Sequence, residues 1–452
     1  MHKDQNSRNN QVRPSATDNC SRPRRGRSGV GPSALLRAGD PGYNIEIPIH
    51  EHMISSTKAL VLSHIWNSPG THRKEIASHF GLHPNLVSDA VRSLIKERWV
   101  MEGESKKTPV GRAPVSLYLD SKNRAAISVS YSPNSMTCGL MNANGDILRS
   151  TTVPHDLDDP DAIVDLAIQQ FAEVKKGYGG IIIGIAVADP GMVNHCKGEV
   201  IRSSSFPGWR NVALAEMFSA RTGLETAVVD TTHAHAIAQY HNLSECRKNA
   251  DTMLYVDYDA GLIGFAFLTP NGIWRGEGLA GEVGHVVIDP EGLLCRCGAK
   301  GCLESQTSSK ALENRSAILL KKGIHSVLSG YENPNALEIF RAAKDGDRFA
   351  RTIVHDTLAD LGLCTVILVA MLHPRLLVVG AETEDAISLL ADELQQAINN
   401  RVISEIASTV TVIKGRPINT LSLTGAGLML FERIIRDEGN KNHSRINEEV
   451  LV

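Results

Sequence analysis

The sequence predicts an α/β protein with a winged helix-turn-helix at its N-terminal end, and three observations lead to this prediction. Between residues 53 and 99, apolar side chains recur in three stretches at helical spacing. Two short strand patterns around a Gly/Pro-rich turn follow, within "VMEGESKKTPVGRAPVSLYLD". From about residue 121, strand and helix patterns alternate almost to the C-terminus, which is typical of a mixed α/β fold. A length of 452 residues exceeds one ordinary core and favours two or three domains.

The N-terminal residues 1–52 are polar, rich in arginine and poor in large apolar groups. Such a segment cannot bury enough apolar surface to offset its ordering entropy, so we predict a disordered tail. It is either a solvated extension or an arm that contacts DNA phosphates or the minor groove through Arg24, Arg25 and Arg27. With a formal net charge of −3, a role with nucleic acid depends on such local basic segments.

The start of the chain lacks the apolar stretch of a secretory signal, and no run of about 18 apolar residues is evident. We therefore predict a cytoplasmic protein without a membrane partner. In that compartment thiols stay reduced, so clustered cysteines bind metal more often than they form disulfides. The isolated cysteines, which we interpret as reduced and inert, are Cys20, Cys138, Cys196, Cys246 and Cys364.

Residues 53–120 are predicted to form the winged helix-turn-helix. A first helix ends at "NSPG", a second is capped by Thr71 and stopped by Gly81, and a third has Pro84 in its first turn. Helical spacing gives the third helix an apolar face that comprises Leu86, Val87, Ala90, Val91, Leu94 and Ile95. The strand–turn–strand pattern after this helix supplies the wing.

The polar face of the third helix is the predicted DNA-reading surface, because a recognition helix lies in the major groove. The side chains expected to reach base edges are His83, Asn85, Ser88, Asp89 and Arg92. In the wing, Lys106, Lys107 and Arg112 are expected to hold phosphates or to enter the minor groove. The alternative is that these charges are ordinary solvated surface groups.

Residues 121–436 form the predicted α/β region. Short β-branched strand patterns such as "GGIIIGIAVADPG" and "PRLLVVGA" alternate in it with helical patterns such as "DAIVDLAIQQFAEVKK". No internal sequence repeat is evident in this region. The last segment, 437–452, is a polar tail that we expect to be frayed.

A group of cysteines within the α/β region predicts a metal site. His285 is followed by Cys295, Cys297 and Cys302 in the stretch "GHVVIDPEGLLCRCGAKGC". Three thiolates and one imidazole are a favoured tetrahedral zinc set. Because protein fills all four coordination positions, the predicted zinc ion is structural and not catalytic. A redox pair is less favoured, since the spacing is not Cys-x-x-Cys.

The longer stretch "GEGLAGEVGHVVIDPEGLLCRCGAKGCLE" resembles the signature of the ROK family (repressors, open reading frames and kinases). The likeness extends to nearly everything from Met53 onward, since ROK repressors also carry a winged helix with a "GRAP" wing. The resemblance implies a bilobal actin-like ATPase fold for residues 121–436, with a sugar in the cleft between the lobes. It also implies that the zinc loop forms one wall of that cleft.

Sugar kinases of this family hold ATP phosphates in two glycine-rich loops, and both loops look altered here. Where the family has Asp-x-Gly-Gly-Thr, residues 130–134 read "SYSPN", in which Pro133 removes an N–H donor. Where the kinases have Gly-Thr-Gly-x-Gly, residues 259–263 read "DAGLI", and a carboxylate at Asp259 would repel a triphosphate. The resemblance therefore implies two phosphate sites that no longer hold a nucleotide.

The position of a catalytic base is ambiguous. The family pattern Asn-Asp-x-Asn, aligned through the following helix, places Asp230 at the first Asn, Thr231 at the catalytic Asp and His233 at the second Asn. Threonine cannot accept the proton of the attacking hydroxyl, so we expect no catalytic residue and no phosphoryl transfer. A slip of one residue would make Asp230 the base, but it would spoil the match of Gln239 with the acidic end of the helix. A further alternative is that Asp230 only ends a strand or caps a helix.

The sugar contacts that the resemblance implies are better kept. The residues at these positions are Asp230, Thr231, Glu282, His285 and Glu304. Each carboxylate can accept two hydroxyl hydrogens, and His285 can use one nitrogen on zinc and the other on a ligand. Because Asp230 and Thr231 replace two polar contacts of the family, either the ligand is unusual or the pocket is vestigial. Solvated or ion-paired loop acids are the alternative for Glu282 and Glu304.

These features predict a DNA-binding transcription regulator, expected to repress genes of sugar uptake or catabolism, whose degenerate kinase-like domain senses a sugar or sugar phosphate. Its expected partners are operator DNA, that small effector and further copies of the chain in a homodimer or homotetramer. The first alternative is an active ATP-dependent sugar kinase with an appended DNA-binding domain, in which Asp230 is essential. The second is a zinc-dependent interaction protein that binds neither sugar nor operator.

Overall fold

Three helices and a two-stranded hairpin make up the N-terminal part of the chain that is described. The computed structural model describes residues 56–105, 114–203, 205–243, 249, 251–259 and 261–449. The helices are α1 (Ser56–Asn67), α2 (Arg73–Phe80) and α3 (Pro84–Lys96), and β1 (Val100–Ser105) pairs antiparallel with β2 (Val115–Leu119). These are the elements expected of a winged helix-turn-helix. The predicted tail 1–52 and the wing residues Lys106, Lys107 and Arg112 lie outside the described residues.

Local side-chain chemistry sets the ends of α2. His72, not the predicted Thr71, caps the helix, because its Nδ1 atom accepts the backbone N–H of Glu75 at 3.0 Å. Thr71 is buried and donates its hydroxyl to the Glu75 carboxylate at 3.0 Å. Gly81 ends the helix at φ 64°, as predicted, in the left-handed region that glycine adopts freely.

The buried face of α3 begins at Val87, and one residue predicted to belong to it is exposed. Val87, Ala90, Val91 and Leu94 are buried and share a core with Leu62 and Ile65 of α1. Leu86 is 53 % exposed, so its assignment to the apolar face is wrong. One residue corresponds to about 100° of helix rotation, which turns Leu86 away from the core and toward solvent.

Strands and helices alternate through the rest of the chain, as the sequence predicts. The strands are β3 (Arg124–Tyr131), β4 (Ser135–Asn142), β5 (Ile147–Pro154), β6 (Ile181–Asp189), β7 (Met192–Asn194), β8 (Glu199–Arg202), β9 (Arg210–Val212), β10 (Thr226–Asp230), β11 (Met253–Asp259), β12 (Leu262–Thr269), β13 (Gly272–Ile273), β14 (Leu376–Ala381) and β15 (Thr411–Lys414). The helices are α4 (Pro160–Lys175), α5 (Leu214–Thr222), α6 (Thr231–Asn242), α7 (Leu303–Thr307), α8 (Ser309–Lys321), α9 (Ala336–Lys344), α10 (Arg348–Leu372), α11 (Glu384–Arg401), α12 (Ser404–Ala407) and α13 (Leu421–Glu449).

The strands form two five-stranded sheets with the same topology, one in each lobe. The first lobe has the order β10-β6-β3-β4-β5, and the second has the order β13-β12-β11-β14-β15. In each sheet an antiparallel meander of three strands is extended, next to its first strand, by two parallel strands. A small sheet, β7-β8-β9, accompanies the first lobe. This duplication confirms the bilobal fold, although the sequence shows no internal repeat.

Helix α13 joins the parts of the molecule, because it packs against α1, α6 and the first-lobe strands β3 and β6. Its buried residues Leu430 and Phe431 belong to a core cluster that also contains Leu62 of α1 and Tyr255 of β11. The helix continues to Glu449. The polar tail predicted for residues 437–452 thus begins within this helix, and its fraying stays a prediction.

Specific side chains attach the helix-turn-helix to the first lobe. Trp66 of α1 donates its indole N–H to the carbonyl oxygen of Ala143 at 3.2 Å. Arg124, at the start of β3, is buried, lies 4.0 Å from the ring centroid of Trp99 and donates to the carbonyl oxygen of Glu97 at 2.6 Å. Burial lowers the pKa of Arg124 to about 10. Aromatic and carbonyl contacts together hold this cation at the junction.

Helix α10 is long and apolar enough to cross a membrane, judged by length and composition alone. Asp356 and Asp360 interrupt it, so α10 is not an unbroken run of 18 apolar residues, and the prediction that no helix spans a membrane stays a prediction. Half of its most apolar window is buried in the fold, and Ile353 and Leu361 belong to the second-lobe core. We interpret α10 as a core helix of the second lobe.

The isolated cysteines differ in state. Cys138 and Cys364 are free thiols, as interpreted from the sequence, and burial raises the pKa of Cys138 to about 12, which suits an inert thiol. Cys196 is disulfide-bonded, so its interpretation as a reduced thiol is wrong. Cys20 and Cys246 lie outside the described residues.

Candidate functional site

The loop between β13 and α7 brings together the four residues of the cysteine pattern. His285, Cys295, Cys297 and Cys302 each offer one ligand atom, and these atoms lie within 4.8 Å of one another. Cys295 Sγ is 3.6 Å from His285 Nδ1, and Cys297 Sγ is 3.5 Å from Cys302 Sγ. A tetrahedral zinc ion with its usual bonds to sulfur and nitrogen needs ligand separations of roughly 3.5–3.8 Å. The donor set and its spacing can therefore hold a metal ion.

Backbone geometry makes the sulfur atoms converge. The amide of Cys295 donates to the carbonyl oxygen of Ala299 at 2.8 Å, and the amide of Gly298 donates to that of Cys295 at 2.9 Å. Gly298 has φ 95° and Gly301 has φ 71°. A Cβ at Gly301 would lie 1.5 Å from the carbonyl oxygen of Asp289. Only glycine fits that position, so the loop depends on it as much as on the cysteines.

This loop forms one wall of a cavity of about 150 Å³ between the two lobes. The residues that the family resemblance marked as sugar contacts all line the cavity, namely Asp230, Thr231, Glu282, His285 and Glu304. Arg202 and His233 line it as well. The structure thus places all five predicted sugar contacts around one cavity, next to the four residues of the cysteine pattern.

Asp230 ends β10 and caps α6, which is the capping alternative considered from the sequence. Its Oδ1 atom accepts the backbone N–H of His233 at 2.9 Å. Its Oδ2 atom lies 2.9 Å from His195 Nε2 and also contacts His233 Nδ1. Burial alone would raise the pKa of Asp230, but His233 and His195 together hold it well below its usual range. A carboxylate kept ionised and occupied in this way is a poor general base.

Asp189 lies beside Asp230 at the ends of the paired strands β6 and β10, yet its pKa shifts in the opposite direction. Burial raises the pKa of Asp189 to about 6, although the Tyr131 hydroxyl and the Gly191 amide both donate to it. Thr231 donates its hydroxyl to the backbone carbonyl of Asp189 at 3.1 Å. The residue aligned with the catalytic aspartate of the family is therefore engaged with backbone.

Glu282 and Glu304 reach the cavity from either side of the metal loop. Burial raises the pKa of Glu282 to about 7, and a neighbouring carboxylate adds to the shift. Glu304 is buried, and its carboxylate lies 3.4 Å from the Arg296 guanidinium and accepts the backbone N–H of Ile263 at 3.4 Å. His285 Nε2 is 4.0 Å from Glu282 Oε2, and its Nδ1 atom lies near Cys295 Sγ. The imidazole ring of His285 therefore lies between the cysteine residues and the cavity.

Hydrogen bonds engage backbone groups at both positions where family kinases hold ATP phosphates. Between β3 and β4, the amide of Ser132 donates to the carbonyl oxygen of Ser135 at 2.8 Å, so this donor is not directed at a ligand. Between β11 and β12, Gly261 adopts φ 90°, and its carbonyl oxygen accepts a hydrogen bond from Arg296 at 2.6 Å. An arginine of the metal loop therefore contacts the second phosphate loop directly.

Helix α6 connects the cavity to the helix-turn-helix. Thr231 and His233, in its first turn, line the interlobe cavity. Tyr240 and His241, in its last turn, line a second cavity of about 340 Å³, which Trp66 of α1 also borders. One helix thus lines both the candidate effector site and the cavity that α1 of the helix-turn-helix borders.

The predicted DNA-reading residues lie on the outer side of α3. His83, Asn85, Asp89 and Arg92 are exposed and Ser88 is partly buried. His83 Nδ1 also caps the helix by accepting the amide of Asn85 at 3.3 Å. Asp89 and Arg92 pair at 2.9 Å. Leu86, misassigned from the sequence, joins this face, where an apolar side chain can contact a thymine methyl group.

A helix-turn-helix followed by two lobes of equal topology, with a metal-competent loop beside the interlobe cavity, defines a two-lobed, sugar-kinase-like protein with a DNA-reading module. The model of the ROK family matches residues 127–433, which is more than half of the chain. The protein belongs to the ROK family, as the signature stretch indicated.

Known relatives include both regulators and kinases. The chain is 26 % identical over 364 residues to the xylose repressor of Caldicellulosiruptor bescii, which covers 78 % of this chain and 89 % of the repressor. It is 25 % identical over 321 residues to the glucokinase of Thermotoga maritima, which covers 68 % of this chain and 98 % of the kinase. A crystal structure of a ROK family transcriptional regulator, a homologue of the E. coli MLC protein, has the same fold. The TM-score is 0.73 at 24 % identity, over 85 % of this chain and 98 % of that one.

No sequence motif marks the partners of Asp230. His195 lies in the turn between β7 and β8, outside every pattern, and His233 is marked only by its alignment with a family asparagine. His195 is 35 residues from Asp230 in sequence, so only the folded first lobe brings them together. Arg202, at the end of β8, reaches the cavity for the same reason.

Proposed function

We propose that this protein is a DNA-binding transcription regulator whose interlobe cavity senses a sugar or sugar derivative. The observation that carries the proposal is the outer face of α3, where Asn85, Leu86, Asp89 and Arg92 are exposed beside a fully buried opposite face. The match to a xylose repressor over most of the chain supports the same function. We expect the regulated genes to serve sugar uptake or catabolism, and the regulation to be repression.

In the proposed complex α3 lies in the major groove. Asn85 can pair with adenine through two hydrogen bonds, Arg92 with guanine, and Asp89 can accept from cytosine. The Asp89–Arg92 pair is exposed, and such pairs are worth at most about 1 kcal/mol, so Arg92 can exchange its partner for a base at little cost. His83 and Ser88 flank these contacts, and the wing residues Lys106, Lys107 and Arg112 are proposed to hold phosphates.

We propose that the ion of the metal loop is a structural Zn²⁺ bound by His285, Cys295, Cys297 and Cys302. The set of three sulfur atoms and one nitrogen suits zinc better than magnesium or calcium, which prefer oxygen. When bound, zinc cross-links the loop and supplies folding free energy. His285 and the neighbouring Glu304 are thereby held at the cavity wall.

We further propose that the protein is not an enzyme. The amide of Ser132 is bonded within its own turn, the carboxylate of Asp230 is occupied, and Thr231 donates to backbone. These contacts support the loss of both phosphate binding and proton abstraction. The alternative, an ATP-dependent sugar kinase with an appended reading module, is favoured by the glucokinase relative.

The proposed regulator acts in the cytoplasm as a homodimer or homotetramer. Leu363, Ile367 and Met371 recur every four residues on α10 and are 44 %, 50 % and 74 % exposed, which supports contact with another copy. A dimer presents two α3 helices to paired half-sites. A sugar that binds one lobe arrangement more tightly shifts the population of that arrangement and so the spacing of the reading helices.

The DNA-binding proposal is tested by gel retardation with fragments from the region upstream of the gene. We expect retention that weakens steeply as salt rises, because Lys and Arg displace counterions from phosphates. Arg92→Ala should weaken specific binding about 5- to 150-fold, the effect of one lost base contact of about 1–3 kcal/mol. Arg341→Ala, which removes an exposed arginine of α9, is the matched control and should bind as the wild type does. Equal binding by all three proteins at every sequence would contradict the assigned reading face.

The non-enzyme proposal is tested by incubating the protein with ATP, magnesium and a panel of sugars. We expect no sugar phosphate above a protein-free control. Accumulation of product that Asp230→Asn abolishes would favour the kinase alternative.

A further inference from the structure

We propose that His233 Nε2 accepts a hydrogen bond from a hydroxyl group of the ligand in the interlobe cavity. His195, Asp230 and His233 form what we term the histidine clasp, which positions this acceptor. The inference rests on the proposed function in one respect, namely that the cavity is the effector site. It assigns a specificity-determining atom and favours an unphosphorylated polyol over a sugar phosphate.

The histidine clasp fixes which nitrogen of His233 carries the proton. An ionised carboxylate can only accept hydrogen bonds, and the Oδ2 atom of Asp230 contacts both His195 Nε2 and His233 Nδ1. Each of these nitrogens must therefore be the one that carries hydrogen. In a neutral imidazole the other nitrogen is then an acceptor with a free lone pair. For His233 that atom is Nε2, and for His195 it is Nδ1.

Both acceptor nitrogens are buried without a protein partner among the described residues. His233 Nε2 and His195 Nδ1 have almost no exposed surface and no hydrogen-bond donor within reach. The side chains of His233 and His195 are 4 % and 3 % exposed. A buried polar atom without a partner costs about 1–3 kcal/mol, so such an atom in a binding cavity is a candidate contact for a ligand.

Only His233 of this pair lines the interlobe cavity. Its Nδ1 edge is turned to Asp230, so its Nε2 edge faces the segment that carries Gly281 and Glu282. A Cβ at Gly281 would lie 3.1 Å from His233 Cε1 and 3.6 Å from Nε2. Gly281, at φ 111°, therefore leaves the Nε2 edge free of a side chain on the cavity side.

The chemistry of the acceptor selects the ligand. A sugar hydroxyl can donate to Nε2, whereas a phosphate monoester near pH 7 carries a charge of about −1.5 to −2 and mainly accepts hydrogen bonds. Asp230, Glu282 and Glu304 also line the cavity, with Arg202 as a cation among the lining residues. A dianion at this place would meet carboxylates and an acceptor nitrogen. A neutral, hydroxyl-rich sugar can donate to all of them.

A metal ion is the competing occupant of the histidine clasp, because His195, Asp230 and His233 offer three ligand atoms within 4.8 Å. The separation of 2.9 Å between His195 Nε2 and Asp230 Oδ2 is a normal hydrogen bond and needs no ion to explain it. An ion would also displace the protons that hold the three side chains together. We therefore assign the clasp as a hydrogen-bonded unit.

The test uses the full-length zinc-loaded protein and isothermal titration calorimetry. The ligands are xylose, glucose and N-acetylglucosamine, with glucose 6-phosphate and N-acetylglucosamine 6-phosphate as charged counterparts. The variant His233→Asn places an amide N–H where Nδ1 was, so that it can still donate to Asp230, and it removes Nε2. We expect the best neutral sugar to bind His233→Asn about 5- to 150-fold more weakly than the wild type. His355→Asn, which changes an exposed histidine of α10, is the matched control and should bind as the wild type does.

A deoxy-sugar series separates this contact from a general loss of structure. For the analogue that lacks the contacted hydroxyl, the wild type should lose affinity while His233→Asn loses little more, so that the two changes are not additive. Should His233→Asn fail to fold, ¹⁵N spectra of the wild-type histidines provide the second measurement. We expect an unprotonated Nε2 signal for His233 that moves on addition of sugar. A protonated Nε2 in the free protein overturns the proposal.

The outcomes separate this inference from the proposed function. DNA retardation is measured in parallel on the wild type and both variants, and it does not depend on the clasp. Sugar binding that is equal in the wild type and His233→Asn overturns the inference and leaves the regulator intact. Tighter binding of a 6-phosphate than of its parent sugar overturns it as well, and so does a second metal equivalent that His233→Asn abolishes. Absence of binding by any sugar overturns both the inference and the sensing function.

Discussion

Two clusters of metal-ligand side chains lie beside the interlobe cavity, and they differ in how their atoms are satisfied. In the loop cluster (His285, Cys295, Cys297 and Cys302) the Sγ atoms of Cys297 and Cys302 lie 3.5 Å apart, and Cys302 Sγ makes only a weak thiol hydrogen bond, to the His285 carbonyl oxygen at 3.4 Å. In the histidine clasp (His195, Asp230 and His233) both imidazole N–H groups donate to one carboxylate. An ion would give the ligands of the first cluster strong contacts, whereas the contacts between the two histidines and the carboxylate in the second form without an ion.

Proximity of ligand-type residues therefore does not by itself define a metal site. The deciding question is whether the ligand atoms already satisfy one another. Thiols are weak hydrogen-bonding groups, so a buried group of them gains most from a metal. Imidazole and carboxylate are strong partners, so they compete effectively with an ion. Four substitutions test the contrast between the two clusters.

The largest effect is expected from Cys302→Ser in the loop cluster. It replaces a buried thiol of the proposed ligand set by a hydroxyl, which binds zinc poorly, so metal affinity should fall more than about 5,000-fold. Because metal binding is coupled to folding, unfolding free energy should fall by more than about 5 kcal/mol. Metal content by mass spectrometry and denaturant melts measure both. Cys364→Ser, at a free buried thiol outside the cluster, should keep the metal; retention of metal by Cys302→Ser would refute the zinc site.

The second largest effect is expected from Asp230→Asn in the histidine clasp. Asp230→Asn removes the charge that both histidines contact, and hydrogen bonds to a buried charged group contribute about 1.5–3 kcal/mol each. Metal content should stay unchanged. The pKa of Asp230 is lowered in the folded state, so its stabilising contribution is present above about pH 4 and is lost as pH falls below that value. The stability difference between wild type and variant should therefore shrink in acid; a constant difference down to pH 2 would contradict the ionised carboxylate.

The third effect concerns the neighbouring carboxylate, which lacks histidine partners. Burial raises the pKa of Asp189 to about 6. Because the pKa of Asp189 is raised in the folded state, this residue makes its full contribution to the free energy of unfolding below about pH 4. That contribution is lost as pH rises through about 6. The shift of about two units corresponds to about 3 kcal/mol. Relative to Asp189→Asn, the wild type should thus lose about 3 kcal/mol of stability between pH 4 and pH 8, and parallel pH profiles of the two proteins would disprove the shift.

The smallest effect is expected at the edge of the loop cluster. Arg296 bonds the Gly261 carbonyl and lies 3.4 Å from Glu304, but its side chain is 46 % exposed. Arg296→Ala should cost less than about 1 kcal/mol and leave the metal content unchanged, because solvent screens the ion pair. A metal loss comparable with that of Cys302→Ser would mean that Arg296 supports the loop far more than its contacts indicate.

Features with a local signal were predicted well from sequence. The helices of the reading module follow from spacing within one turn, and Gly81 ends α2 as its type suggests. The cysteine ligands lie within one loop, so their spacing alone brings them close. The errors are also local, since Leu86 is one residue off the buried face and the cap of α2 moves from Thr71 to His72. Such boundaries are decided by tertiary packing of the first and last turn.

The order of elements, the loop cluster and five of the cavity residues could be predicted from the sequence alone, because each depends on groups that are neighbours in the chain or on a long signature. The ionised, hydrogen-bonded state of Asp230 could not be predicted in this way, because it follows from the folded first lobe. Its partner His195 is 35 residues away and reaches it through the β7–β8 hairpin. The opposite pKa directions of Asp189 and Asp230, at adjacent strand ends, likewise depend on burial and partners contributed by the whole fold. Burial is a property of the assembled lobes, and no short stretch of sequence encodes it.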